Sequence, residues 1–287
     1  MDTDERGMDG RRAATELLEA EAVDAKFNTA DAGVAVIWDT LQRRQVDFAI
    51  GKELAAYREG ARWRRARTVL DVGTGNGYYL RRIAALFPEK AYCGIDTSRE
   101  LVDIAAAEAA GMPNLEFRCH DVADEPGRYD FAIMRLLLQH LSDPQSMLEQ
   151  VGLATAPGGA ALVIDCWDAA RTFAPDVPSF RGLFQAYTDH QATLGRRRDV
   201  VDRLPEMAAK SGLWEVADHR QVVVASSAPG QLALFEDIYG HFIDLVERTR
   251  EFDHPFDAVR REWRRWCALE GRYTQVGVNV VTLHRRP

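Results

Sequence analysis

The chain of 287 residues, 46% hydrophobic and 28% charged, is long enough to bury a full core and suits one large α/β domain with additions. A formal net charge of -8 argues against a surface that neutralises nucleic-acid phosphates, and no apolar run approaches the length of a membrane span. The cysteines Cys93, Cys119, Cys166 and Cys267 are scattered with no CxxC pair, so neither a disulfide framework nor a zinc site is suggested. Together with a polar amino-terminal stretch lacking an apolar h-region, they point to a reducing, cytoplasmic setting.

In chain order, residues 13–27 and 32–57 read as two helices separated by the capping residues Asn28, Thr29 and Asp31. A strand at 67–72 runs through a glycine-rich turn into a helix that ends near Phe87, and Pro88 precedes a second strand at 91–96 with its own helix at 99–111. A third strand is expected at 115–119 and a fourth at 129–134, after the turn Glu125-Pro126-Gly127. The helix at 143–155 has Asp143 as its N-cap and Pro144 in the first helical position. The turn at 156–159 opens an almost uninterrupted apolar strand, 160–166, of the kind buried on both faces of a parallel sheet. This alternation is that of a doubly wound α/β fold.

Beyond Trp167 the pattern changes. Phe180, Phe184, Tyr187 and Gln191 lie at helical spacing within 168–198, and a helix at 199–212 ends on a glycine before a sixth strand at 219–225. Two inserted helices, 231–250 and 255–269, precede a last strand at 273–283.

Residues 69–77 read VLDVGTGNG, an apolar strand with one aspartate and then glycines at alternate positions. Gly73, Gly75 and Gly77 tolerate positive φ and let a ligand approach the backbone, and the helix that follows directs its partly positive N-terminus at the same spot. A dinucleotide fingerprint would carry a third glycine at position 78, where this chain has Tyr78, which weakens the NAD reading. Asp96 ends the neighbouring strand in GIDTS, at the place where nucleotide folds hold vicinal ribose hydroxyls. Asp121 and Val122, in HDVAD, sit on the same edge one strand further out, suited to an exocyclic amino group and a ring face.

Taken together, DVGTGNG, GIDTS, HDVAD, the strand YDFAIMR and the turn APGG resemble the class I S-adenosylmethionine-dependent methyltransferases of the small-molecule, natural-product tailoring type, over residues 68–165. The resemblance implies a doubly wound, mostly parallel seven-stranded sheet in the order 3-2-1-4-5-7-6 with the last strand antiparallel, and S-adenosyl-L-methionine as cofactor. It divides the chain into an N-terminal helical extension (1–60), a cofactor-binding Rossmann-like core (61–167) and a remainder (168–287) whose insertions at 168–198 and 228–271 would form a cap over the acceptor. Carried over residue by residue, it sets Gly73 and Gly75, with Thr74 between them, against the methionine portion. Asp71 and Asn76 would help to hold its amino and carboxylate groups. Asp96 would bind the ribose, Thr97 would flank the adenine, Asp121 and Val122 would shape the adenine pocket, and Met134 and Arg135 would lie near the sulfonium.

The Asn/Asp-Pro-Pro-aromatic motif of DNA amino-methyltransferases is absent, since the chain reads Arg135-Leu136-Leu137-Leu138 there. Strand four delivers an arginine where a catechol-type enzyme would need a magnesium carboxylate, so no metal is expected. The expected partner is a small, flat aromatic or heteroaromatic acceptor such as an indole, methylated on carbon, nitrogen or oxygen, and neither nucleic acid nor membrane. Phe180, Tyr187 and Trp263 are expected to hold it. His241 or His140 would orient or deprotonate it. His241 lies on an otherwise apolar helical stripe with Leu234, Ile238 and Leu245, and the alternative is a hydrogen-bonded core histidine. The N-terminal helices could cover the chain's own pocket or exchange with a second subunit as a homo-oligomer. An RNA or protein methyltransferase and a cofactor-binding protein without catalysis are the alternatives.

Overall fold

The computed structural model describes residues 31–125 and 127–287. The expected helix at 13–27, its capping residues Asn28 and Thr29, and Pro126 of the turn lie outside the described residues.

The first described helix, α1 (Ala32–Tyr57), starts at Asp31, whose side chain accepts from the amides of Gly33 and Val34. A short helix α2 (Ala61–Arg65) buries Trp63 against the rings of Tyr57, Phe87 and Phe131, and alternation follows: β1 (Thr68–Val72), α3 (Tyr78–Leu86), β2 (Ala91–Asp96), α4 (Arg99–Glu108), β3 (Leu115–Cys119), β4 (Tyr129–Arg135), α5 (Pro144–Ala154) and β5 (Thr155–Cys166). The capping chemistry expected of Asp143 is present, since its carboxylate accepts from the Ser146 amide at 3.0 Å. After β5 come the short β6 (Thr172–Ala174), α6 (Pro178–Thr193), α7 (Leu204–Ser211), β7 (Trp214–Ser226), α8 (Pro229–Thr249), α9 (Phe256–Cys267) and β8 (Tyr273–Arg285).

The first five strands are parallel in the order 3-2-1-4-5, and β8 runs antiparallel between β5 and β7. This is the expected topology with one strand more. The additional strand, β6, pairs Thr172–Ala174 with Tyr273–Gln275 at the start of β8, on the side occupied further along by β5, while β7 pairs Thr274 and Gln275 from the other side. Three residues of mixed exposure carry no periodic signal, so this strand had no signature to read.

Both faces of the sheet are covered. Leu70, Val72, Ala132, Met134 and Val163 pack against α5 and α7, whereas Val69, Phe131, Ile133, Leu162 and Ile164 pack against α1, α2 and α3. A separate aromatic cluster, with Phe180, Phe235, Phe242, Trp263 and Trp266, joins α6, α8 and α9 to α1 through Leu41, Phe48 and Ala49. The stripe of Val259, Trp263 and Trp266 on α9 is spent inside this cluster, with the two indoles stacked at 5.3 Å and the Trp266 Nε1 donating to the Pro175 carbonyl. Among the described residues no helix is long and apolar enough to cross a membrane.

Candidate functional site

Side-chain alternation along the parallel strands decides what reaches their carboxyl ends. Asp71 shares the face of Val69, and Arg135 the face of Ile133, so both point toward α1 at the floor of a cavity of about 890 Å³. Met134 takes the opposite face, fully buried among Leu70, Val72 and Val163, and does not line that cavity. Proximity in sequence to the strand end does not by itself tell a wall residue from a core residue.

The turn after β1 is held by its neighbour. The amides of Gly73 and Thr74 both donate to the Ile95 carbonyl at 2.9 Å, and the Gly75 amide donates to Asp96 Oδ2 at 2.8 Å. Gly73, Gly75 and Gly77 all have φ between 57° and 70°, a region that costs a residue with a Cβ. A Cβ on Gly75 would stand 2.4 Å from the Gln42 side chain of α1, and one on Gly73 would stand 2.7 Å from Leu137. The bare backbone here is therefore the surface against which neighbours and a ligand can close.

Asp96 caps two backbone amides at once, Gly75 through Oδ2 and Ser98 through Oδ1 at 2.9 Å, which fixes its carboxylate at the cavity edge. Burial pushes its pKa up, against those two hydrogen bonds, which favour the charged form. Thr97, Asp121 and Val122 continue the rim, with Asp121 exposed and its Oδ1 accepting from the Ala123 amide, and Val122 buried. Asn76 is occupied differently. Its Nδ2 donates to the carbonyl and side chain of Asp39, and its Oδ1 accepts from the Tyr78 amide, so it ties the start of α3 to α1.

Beneath the glycines lies a buried polar group of side chains. Arg135 makes a two-pronged pair with Glu53 of α1, Nε to Oε2 and Nη2 to Oε1, both at 3.0 Å, and its guanidinium lies 4.9 Å from the centre of the Tyr79 ring. Tyr79 in turn meets Tyr57 through their hydroxyls at 3.2 Å. Asp71 accepts from Thr74 Oγ1 at 2.7 Å, and burial pushes its carboxyl up to about 7. A group whose folded pKa exceeds its unfolded value of about 3.9 favours folding fully below pH ~4 and loses that contribution as pH rises through ~7. Asp71→Asn retains an acceptor for Thr74 without the charge. Its unfolding free energy is expected to match the parent near pH 4 and to exceed it at pH 8 by on the order of a few kcal/mol. Chemical denaturation across that range measures the gap, and a gap independent of pH would exclude a neutral buried carboxyl.

The opposite wall of the cavity is aromatic. Phe184 of α6 and Ile238, Tyr239 and Phe242 of α8 line it, with Trp38 and Leu41 of α1 above. The sequence-selected Phe180, Tyr187 and Trp263 sit one layer behind, at 0%, 1% and 6% exposure, and none of them reaches the cavity. Phe180 stacks on Phe184 and meets Tyr239 edge-on at 5.0 Å, so these rings back the wall residues. His140 lines the cavity beside Leu137 and Leu141. His241 does not: half-buried, it has its Nδ1 2.7 Å from the Asp237 carbonyl on its own helix.

Three cavity residues carried no functional signal in sequence. Arg198 stood in a basic run that reads as a solvated face, whereas its side chain is 14% exposed and pairs with Asp168 across 30 residues. Gln42 and Gln139 are single amides with no motif around them. Among the described residues no group of three His, Cys, Asp or Glu side chains is arranged to hold a metal ion.

Comparison with known proteins gives a matching family, described as a methyltransferase domain, across residues 43–227. An uncharacterized 37.1 kDa protein in a transposon of Streptomyces fradiae is 31% identical over 155 residues, which cover 52% of this chain and 44% of that one. The malonyl-[acyl-carrier protein] O-methyltransferase of Halalkalibacterium halodurans is 24% identical, covering 56% of this chain and 61% of that enzyme. The match thus spans about half the length of these curated relatives. The crystal structure of the YcgJ protein from Bacillus subtilis covers 82% of this chain and 98% of that one, at 16% identity and a TM-score of 0.51, and shares the fold.

Proposed function

Because the chain belongs to the methyltransferase domain family, we propose that it transfers a methyl group from S-adenosyl-L-methionine to a small aromatic or heteroaromatic metabolite, as in secondary-metabolite tailoring. One observation carries this reading. A single cavity runs from the glycine turn and Asp96 to the aromatic wall of Phe184, Tyr239 and Phe242, so donor and acceptor can share one chamber.

The bound cofactor supplies an electrophilic methyl group on a sulfonium. The chain's own part is to hold, orient and exclude. Asp96, immobilised by two amides, has lone pairs left to accept from ribose hydroxyls. Asp121 and Val122 offer an acceptor and an apolar contact at the rim for the base. Gly73 and Thr74 line the cavity on the side of the methionine end, and Asp71 faces it from the floor. Asn76 and Arg135 support the site by holding α1 against the loop rather than by offering free atoms to the ligand. Residues 61–167 thus serve the donor, while α1 and the segments 168–198 and 228–271 serve the acceptor. In-line displacement needs little more than alignment at near-attack distance, with a base only where the acceptor atom sheds a proton. An indole-like ring fits the aromatic wall, and methylation at carbon, nitrogen or oxygen is compatible with it.

His140, which lines the same cavity, is the group suited to take that proton. With an oxygen or nitrogen acceptor, His140→Ala is expected to lower kcat about a hundredfold while cofactor affinity stays unchanged, and His241→Ala is expected to leave kcat as it is. Turnover measured with isotopically labelled methyl donor and metabolite extracts, read by mass spectrometry, tests both the activity and this assignment. Failure of the purified chain to bind S-adenosylmethionine in calorimetry would refute the proposed function.

A further inference from the structure

Two features of the cavity are left over once the donor has been accommodated. The first is a positive charge. Asp168 is a single carboxylate shared by two guanidiniums, accepting from Arg198 Nε on Oδ2 at 2.5 Å and from Arg198 Nη2 on Oδ1 at 2.9 Å, and from Arg171 Nη2 on the same Oδ1. The two arginines hold the Asp168 carboxyl down to about 2 in spite of its burial, so the trio carries one net positive charge at neutral pH. Arg198 faces the cavity, and its Nη1 has no protein partner among the described residues. Both guanidiniums lie over the ring of Phe184, at 3.3 Å for Arg171 and 4.8 Å for Arg198, so the charge is set in an aromatic wall instead of open water.

The second is an unused acceptor. Gln139 is 4% exposed and lines the same cavity, and its Oε1 is buried with no hydrogen-bond partner. Its backbone is fixed by the Asp165 carboxylate, which accepts from the Gln139 amide at 3.2 Å, next to Cys166 on the cavity wall. Buried carbonyl oxygens are rarely left unpaired, and because Gln139 lines the cavity, a turn of its side chain would offer this oxygen to a donor on a ligand.

We propose that the methyl acceptor is a ring-bearing carboxylic acid: Arg198 pairs with its carboxylate, and Gln139 Oε1 accepts from a hydroxyl or N–H group on the same molecule. This rests on the reading of the cavity as a methyltransferase acceptor chamber. Guanidinium is the group best matched to a planar carboxylate, and the low-dielectric aromatic surround strengthens the pairing and penalises a neutral analogue that leaves the charge unmatched. The arrangement also gives selectivity within the acids, because only one carrying a donor satisfies Gln139.

The test uses the full chain saturated with S-adenosylhomocysteine, and as probes the hydroxybenzoates and indole carboxylates, each against its primary amide, with benzoate as the acid lacking a donor. Calorimetry is expected to show at least one hydroxyl- or N–H-bearing acid binding about tenfold or more tightly than its amide. In Arg198→Gln that ratio is expected to fall to within about twofold, and Arg198→Lys should restore part of it. Gln139→Met is expected to weaken the donor-bearing acids about tenfold, leave benzoate unchanged and not lower the Tm, which a merely structural glutamine would do. Acids binding no better than amides in the parent, absence of binding by every probe, or an acid preference that survives Arg198→Gln would overturn the proposal. Should Arg198→Gln fail to fold, the acid-to-amide ratio of the parent and the Gln139→Met series still decide it. Cofactor-product binding is measured on the same samples. Its loss in the parent would refute the methyltransferase reading, whereas retained binding without acid preference would refute this inference alone.

Discussion

Asp96→Ala is expected to weaken S-adenosylmethionine binding about a hundredfold. Each hydrogen bond to an ionised group is worth ~1.5–3 kcal/mol, and loss of ~3 kcal/mol corresponds to two powers of ten in Kd. The same carboxylate also holds the Gly75 amide at 2.8 Å and the Ser98 amide at 2.9 Å, so the variant loosens the glycine turn as well as losing the ribose contacts. Asp96→Asn separates these effects. One amide oxygen can still accept from a backbone amide, but the charge is gone, and its affinity is expected to lie between parent and alanine variant. Calorimetric Kd values, read beside thermal midpoints, distinguish a lost ligand contact from a collapsed loop. An alanine variant that bound the cofactor within a few fold of the parent would remove Asp96 from the site.

Glu53→Ala is expected to cost about 3–5 kcal/mol of stability, the range for leaving one member of a buried ion pair uncompensated. Glu53 is fully buried and meets Arg135 in a two-pronged pair, so its removal strands a guanidinium between Tyr79 and the sheet. The double variant Glu53→Leu/Arg135→Met removes both charges and is expected to recover most of the loss, because replacing a buried pair with apolar groups of similar size is close to neutral. Denaturant unfolding of the parent, Glu53→Leu, Arg135→Met and the double variant, beside Glu53→Ala, measures this. A double variant as unstable as Glu53→Ala would mean that the pair holds α1 in register instead of merely cancelling charge. Since α1 also supplies Gln42 and Asp39 to the glycine turn, cofactor affinity in the double variant reports on whether those contacts survive.

The donor half of the fold was legible because its chemistry is local. The glycine turn directly follows its own strand and the capping Asp96 ends the next strand 21 residues on, and hydrophobic alternation places them on one edge of the sheet. The partnerships that finish the site are long-range. Glu53 and Arg135 are separated by 82 residues, and Gln42 and the Asn76 amide it caps by 34, and nothing in either neighbourhood announces the other. The acceptor half shows a second limit. Helical periodicity identified α6, α8 and α9 as aromatic-faced, yet periodicity reports that a ring is buried and is silent on whether it faces a neighbour or a hollow. Phe180, Tyr187 and Trp263 fill space, while Phe184, Tyr239 and Phe242, on the same helices or one packed against them, bound the chamber. Met134 and Arg135 differ by one residue and therefore by one face of the strand. Asp168 and Arg198 pair across 30 residues, so their partnership is set by the fold and not by local sequence.

The placement of β8 has a bearing on how the chain reaches this structure. Last of the strands in chain order, it is inserted between β5 and β7 and also carries β6, so three ladders wait for residues 273–285. As the chain emerges from a ribosome, the apolar edge of β5, Ala160–Ile164, has no neighbour on that side until more than a hundred residues later. Such an unpaired hydrophobic edge is a template for association with other nascent chains. Production of the protein should therefore be sensitive to growth temperature and chaperone supply, with inclusion bodies forming from chains arrested before β8 is released.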